Sequence, residues 1–312
     1  MKALSRLTIC IFVFCLCGCR KSLDEKLTQQ SDKPGTAATE SAQTSKSYSA
    51  KGVIVELVPD KCGAFIHHEE IPGFMEEMTM FLKVANQEEY QTLNAGQQYT
   101  FTLIVDREHG TRTQNFAPTG NAADLPQTST SPSERWLTAP TFELGDKVPD
   151  FEFIASSGEP ITAEGLKGQT WAITFVFTRC PLPDYCPRMT LRFKEAMDLL
   201  EERKATDWKL ISLTIDPDYD QLDILKNYRS IWEIDSKNWF FCRTDTKSLK
   251  RIGDPLGLSF QTDKFPIEHN LRTAVFDAEG RLAEVFSGNN WTALELANSI
   301  LRATKLTNSV SQ

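Results

Sequence analysis

TWAITFVFTRCPLPDYCPRM, residues 170–189, decides how the larger part of this chain folds. Its first nine residues form an almost continuous apolar run, the kind a central strand needs when both faces of its sheet are covered. Beyond it, apolar residues recur at Met189, Phe193, Ala196, Met197 and Leu200, which is helical spacing. Cys180 and Cys186 therefore fall where a strand end meets a helix N-terminus. Unpaired amides and the helix dipole lower a thiol pKa there, which favours redox chemistry and metal ligation alike. On residue type alone the pair reads as a disulfide, a catalytic redox couple or half of a metal site.

Working outward, VPDFEFIASSGEPITAEGLKGQ suggests an opening hairpin turning near Ser157 and Gly158. LISLTID reads as a strand, followed by a helix starting near Asp220, where Asp216 and Asp220 are expected to cap. TKSLKRIGDPLG reads as a helix, TAVFD as a strand with a turn at Asp277 to Gly280, and TALELANSILRAT as a last helix. Strand, cysteine loop, helix, strand, helix, then hairpin and helix is an α/β thioredoxin-like order. Cys242, after an apolar run, reads as core.

The first residues bear on compartment. In MKALSRLTICIFVFCLCGC, Lys2 and Arg6 precede an apolar run that ends at Cys17. The run is short for a bilayer span and suited to a signal peptide. Leu16-Cys17-Gly18-Cys19 resembles a bacterial lipobox, which implies cleavage after Gly18, lipidation of Cys19, and a protein anchored to the cell membrane facing the periplasm or extracytoplasmic space. Of eight cysteines, only Cys62, Cys180, Cys186 and Cys242 would then remain as thiols, too few for a disulfide scaffold. A net charge of -8 argues against nucleic acid as a partner.

Two stretches rich in Ser, Thr, Gln and Ala divide the chain. The expected organisation is a signal peptide at 1–18, a tether at 19–50, a small module at 51–116, a linker at 117–140, a larger module at 141–306 and a tail at 307–312. The small module, with runs such as KGVIVELV, AFIHHE, MTMFLKV and YTFTLIV, reads as a small all-β, OB-like barrel. On a strand, Met78 and Met80 share a face while Thr79 points away, and a histidine approaches from the preceding strand. Thioethers with imidazole suit Cu(I) or Ag(I), although a Met pair on a strand also serves as core packing.

HHEEIPGFMEEMTM, residues 67–80, resembles the copper-binding barrel of CusF-type periplasmic proteins over about residues 51–116. The resemblance implies Cu(I) ligation by His68, Met78 and Met80, with His68 preferred to His67 by alignment. That family places a tryptophan over the metal; here the matching loop carries Phe74 and Met75, which makes Met75 a candidate fourth ligand. Cys62 reads as a small buried residue.

The larger module resembles the Sco/SenC family over roughly residues 142–305, through FVFTRCP…CP, LTIDPDYDQLDILKNY and HNLRTAVFDAEGRL. These are membrane-tethered thioredoxin-like proteins linked to copper delivery for cytochrome c oxidase. The resemblance implies one copper ion, Cu(I) or Cu(II), held by Cys180, Cys186 and His269. It also implies an oxidase copper-binding subunit, or another copper acceptor, as partner. Two departures stand out: five residues separate the cysteines where the family has three, and Asn270 and Arg272 follow His269 and the expected acidic Glu268. Three roles stay open: a copper metallochaperone, a thiol-disulfide reductase using Cys180 and Cys186, and a copper-buffering or sensing lipoprotein.

Overall fold

A computed structural model describes residues 45–106, 109–122, 131–261 and 265–310, all within one compact unit, Gln43–Gln312. The signal peptide, Cys19, most of the tether and residues 123–130 of the linker lie outside the described residues. Among the described residues no helix is long and apolar enough to cross a membrane.

The first module is built from β1 (Ser45–Val58), β2 (Gly63–His68), β3 (Met78–Val84), β4 (Gln97–Asp106) and β5 (Gly110–Ala122), with a one-turn helix α1 (Gln87–Tyr90). β1 pairs with β2 and β4, β2 with β3, β3 with β5, and β5 with β4, so the strands close into a barrel. Alternation fills it: Ile54, Ala64, Ile66, Leu82 and Leu103 are buried. Strand β1 starts at Ser45, inside the stretch expected to be tether. Its first residues pair with the end of β4, and Tyr48 stacks on Phe74 at 4.4 Å, which gives this polar segment something to hold. Strand β5 likewise takes six residues from the expected linker.

After α2 (Pro132–Trp136) comes a seven-stranded sheet in the order β14-β13-β8-β9-β10-β6-β7. Its strands are β6 (Glu152–Ala155), β7 (Pro160–Thr162), β8 (Thr170–Val176), β9 (Trp208–Thr214), β10 (Trp239–Arg243), β13 (Arg272–Phe276) and β14 (Leu282–Ser287). The centre is parallel, β8 to β9 to β10, and all seven residues of β8 are buried, which explains its unbroken apolar run. Helices α3 (Cys186–Glu202), α4 (Leu222–Ile231), α5 (Thr246–Gly253) and α6 (Ala293–Val310) complete the module, and a two-stranded ribbon pairs β11 (Phe260–Gln261) with β12 (Glu268–His269). Cys242 is fully buried in β10, and burial pushes its thiol pKa up, as befits a core residue.

Asp220 does not cap α4. The helix begins after Gln221, whose side chain makes no cap bond. The Asp220 carboxylate instead accepts hydrogen bonds from the Thr178 amide at 3.1 Å and from the hydroxyls of Thr178 and Thr214. The chain leaving β8 carries an amide with no ladder partner, and a buried acceptor satisfies it. Asp216 receives two hydrogen bonds from Arg179, at 3.2 and 2.7 Å, with the guanidinium lying between the rings of Tyr219 and Phe265. Both aspartates thus fasten the residues that lead into Cys180.

Candidate metal centre

Helix α3 starts at Cys186 with no side-chain cap and no acidic residue in its first turn, so its amides and positive dipole end are left to the cysteine loop. Cys186 is buried, Cys180 half-buried, and both are free thiols, as are Cys62 and Cys242. The ribbon strand β12 brings His269 to this loop across 83 positions of sequence, with Nε2 3.7 Å from Cys186 Sγ. Metal bonds of about 2.3 Å to sulfur and about 2.0 Å to nitrogen, set 120° apart, separate their donor atoms by about 3.7 Å. The pair therefore has a spacing a shared ion accepts. Cys180 Sγ also lies 3.8 Å from the Leu182 carbonyl, and among the described residues no three His, Cys, Asp or Glu side chains already converge on one point.

The two thiols are unequal. Burial pushes the Cys180 thiol up, but hydrogen bonds with Cys186 and His269, and the charge of His269, outweigh it and bring the pKa down to about 5. Burial drives Cys186 well above the ordinary thiol value, and its hydrogen bond to Cys180 and that group's charge reinforce the rise. The pair thus favours a single thiolate, centred on Cys180.

His68 and His269 are held alike. Each ring places Nδ1 2.8 Å from the backbone carbonyl of the following residue, Glu69 or Asn270. A carbonyl only accepts, so Nδ1 carries a proton in each ring, and whenever the ring is neutral Nε2 presents its lone pair, the arrangement of a metal-binding imidazole. His68 is fully buried and its Nε2 has no hydrogen-bond partner. Burial lowers its pKa, keeping the ring neutral. An orphaned buried lone pair is costly unless something occupies it. Directly across the β2–β3 ladder stands Met78, with Met80 opposite Ile66 on the same face. One neutral imidazole and two thioethers fit a soft monovalent cation.

His67 belongs to the other face. It sits opposite Thr79, with Nδ1 3.1 Å from Thr79 Oγ1 and Nε2 3.1 Å from a Glu77 carboxylate oxygen. Met75 is buried in the short turn that bridges Ile71 to Met75 after β2. Cys62 lies before β2 begins, at the opposite end of that strand from His68, at φ 45° with Sγ directed to the Val84 carbonyl at 3.8 Å.

Soft donors of the two modules meet. A cavity of about 20 Å³ is lined by Met78 and Met80 from the barrel, by Cys180, Leu182 and His269 from the larger module, and by Trp136. Thr79 donates its backbone N–H to Glu268 Oε1 at 3.0 Å, next to His269. The longer cysteine loop supplies two more ties: Asp184 Oδ1 accepts from Thr111 Oγ1 at 2.6 Å, and the Tyr185 hydroxyl donates to the Phe81 carbonyl at 3.3 Å.

The segment expected to be an unstructured linker takes part. Trp136 packs between Phe65 and Tyr185, with ring centroids 5.8 and 5.9 Å away. Asn270 donates to the carbonyls of Gly257 and Trp136, and Arg272 to that of Thr138 at 2.7 Å. Gly257, at φ 73°, leaves room for this strand of chain, since a Cβ there would stand 2.6 Å from the Thr138 carbonyl oxygen. The residues that depart from the resembled pattern, the long loop and the Asn270 and Arg272 pair, are therefore among those that hold barrel, linker and sheet module together. No local pattern in the sequence marks Trp136, Glu268 or Asp184 for that work.

Comparison with known proteins agrees with this division. The family model for copper binding periplasmic protein CusF matches residues 47–115. A SCO2-like protein of Rickettsia felis is 38% identical over 144 residues, covering 44% of this chain and 67% of the relative. A SCO1 protein homolog of Bacillus subtilis is 31% identical over 98 residues, 31% of this chain and 49% of the relative, so the aligned part spans about half of that protein. The crystal structure of Arabidopsis thaliana ScoI with copper bound overlays 53% of this chain and 99% of its own at a TM-score of 0.45 and 18% identity. The SCO1/SenC family model matches residues 141–305, more than half of the 312 residues, from ahead of the first sheet strand to the last helix. The chain belongs to the SCO1/SenC family.

Proposed function

We propose that this protein is an extracytoplasmic copper metallochaperone. It carries Cu(I) on His68, Met78 and Met80 of the barrel, and copper on Cys180, Cys186 and His269 of the sheet module, for delivery to an acceptor such as the copper-binding subunit of cytochrome c oxidase. The observation that carries the reading is that Met78 and Met80 of the barrel and Cys180 and His269 of the sheet module line one small cavity. A thiolate pair with imidazole suits copper, whereas Zn(II) in structural sites prefers four ligands. On this reading Cys19 is the lipid anchor and the organisation expected from the sequence, signal, tether, barrel, linker and sheet module, places the copper sites outside the cytoplasm. A Cys19→Ser variant then loses its lipid, read by labelled fatty acid.

A second reading rests on the inequality of the thiols. A half-buried Cys180 thiolate beside a buried, protonated Cys186 is the arrangement of a dithiol reductant. Cys180 would attack a partner disulfide to form a mixed disulfide and release one thiolate; Cys186 would then attack Cys180 Sγ, closing the intramolecular disulfide and releasing the second. Copper stoichiometry together with oxidase assembly in cells carrying His269→Ala separates the two. Loss of both supports delivery, and retained assembly with lost copper supports the reductase.

A further inference from the structure

The cavity between the modules is small, bordered by large side chains, and lined with soft donors from both sides. At about 20 Å³ it has room for about one water-sized body. Its walls are Trp136, Phe177, Leu182, Tyr185 and Ile267, and its sulfur and nitrogen donors are Met78, Met80, Cys180 and His269. Around it the modules are tied by the Thr79–Glu268, Thr111–Asp184 and Tyr185–Phe81 hydrogen bonds. Met78 and His269 are brought together across 191 positions of sequence.

The geometry points to an internal relay: a single Cu(I) ion passes from the thioethers of Met78 and Met80 through this cavity to Cys180 and His269 in its wall, and to Cys186 beside them, without entering bulk solvent. The inference rests on the copper reading above and adds a route and a direction. The direction follows from charge. Thioethers are neutral and thiolates anionic, so a monovalent soft cation moves downhill from methionine to cysteine, and more steeply away from the high dielectric of bulk water. No electron moves. Bonds to thioether sulfur break as bonds to thiolate sulfur form, the copper stays Cu(I), and the proton displaced from the remaining thiol leaves to water.

The test uses the full reduced chain, given Cu(I) as a complex with a weak chelator, and follows the thiolate-to-copper charge-transfer absorption after rapid mixing. Met78→Leu with Met80→Leu removes the first station. Arrival at the cysteines is expected to slow about tenfold or more, because an intramolecular step at millimolar effective concentration is replaced by capture from solution. Thr111→Val, which touches no copper donor, removes one tie between the modules; slower arrival with the same final affinity at the cysteines is expected. Arrival at the parent rate in the double leucine variant overturns the relay. Absence of the absorption in the parent chain overturns the copper reading of the cysteines, and the relay with it.

Discussion

On the proposed reading, the barrel and the sheet module solve one problem with different sulfur. Each fixes a histidine through the carbonyl of the next residue; His269 Nε2 then stands 3.7 Å from Cys186 Sγ, and His68 sits opposite Met78 in the β2–β3 ladder. In the barrel the sulfurs are thioethers on one strand face, with no proton to lose and no charge to gain. In the sheet module they are thiols at the mouth of a helix, coupled so that one ionises easily and the other resists. The contrast teaches that grip and responsiveness are separable: the imidazole is common, and the choice between Met and Cys decides whether protons, redox state and charge enter.

The sharpest test of that contrast removes donors from the thiol side. Replacing Cys180 and Cys186 with serine abolishes copper binding at that site. His269→Ala weakens it on the order of 100-fold or more, since even outer-sphere partners of metal ligands matter by 10–100-fold. Equilibrium competition with a Cu(I) chelator reads both, and tight binding without His269 would falsify its role.

Acid separates the two sites next. Protons compete for thiolates and not for thioethers, so lowering the pH to about 4 strips copper from the cysteines ahead of the methionines. In the metal-free protein the Cys180 thiol, held at about 5, keeps reacting with an alkylating reagent down to near that pH, while Cys186 lags throughout. Mass spectrometry of the alkylated chain follows each thiol, and a Cys180 midpoint near the free-thiol value of about 8.5 contradicts the assignment.

A smaller effect is expected on the thioether side. Met78→Leu with Met80→Leu weakens Cu(I) binding at the barrel, yet preserves side-chain volume and costs less than about 1.5 kcal/mol per site in stability. Chelator competition and chemical denaturation together check it; unchanged barrel affinity removes the methionines from the site. Smallest of all is His67→Gln, which leaves copper affinity within about twofold, because that ring is engaged by Thr79 and Glu77 on the opposite face. A large loss there would exchange the roles of the two histidines.

Much of this is legible in the sequence. The buried strand β8 and the helix after it announce themselves by an apolar run and a helical period, so the position of Cys180 and Cys186 follows from local pattern. Met78 and Met80 share a face by strand alternation alone. The remainder is non-local. Strand β5, GTRTQNFAPTGNA, lacks an apolar run; it holds by pairing, and its buried Thr113 donates to the Lys83 carbonyl at 2.9 Å. Trp136 sits in a stretch whose composition reads as solvated, and one aromatic ring packed across two modules leaves no trace in an average over its neighbours. Asp220 carries the signature of a cap, but its partners are residues near Cys180, joined only by the fold.

The cysteine loop has a bearing on inheritance. Asp184 and Tyr185 lie between the two thiols, yet their polar atoms answer to Thr111 and Phe81 of the barrel. Selection acting on the spacing of the cysteines is therefore also acting on attachment. A descendant that shed the barrel would keep a carboxylate and an aromatic ring whose partners had gone, and shortening the loop would be the natural repair. Loop length and the presence of the barrel are expected to be gained and lost as one trait.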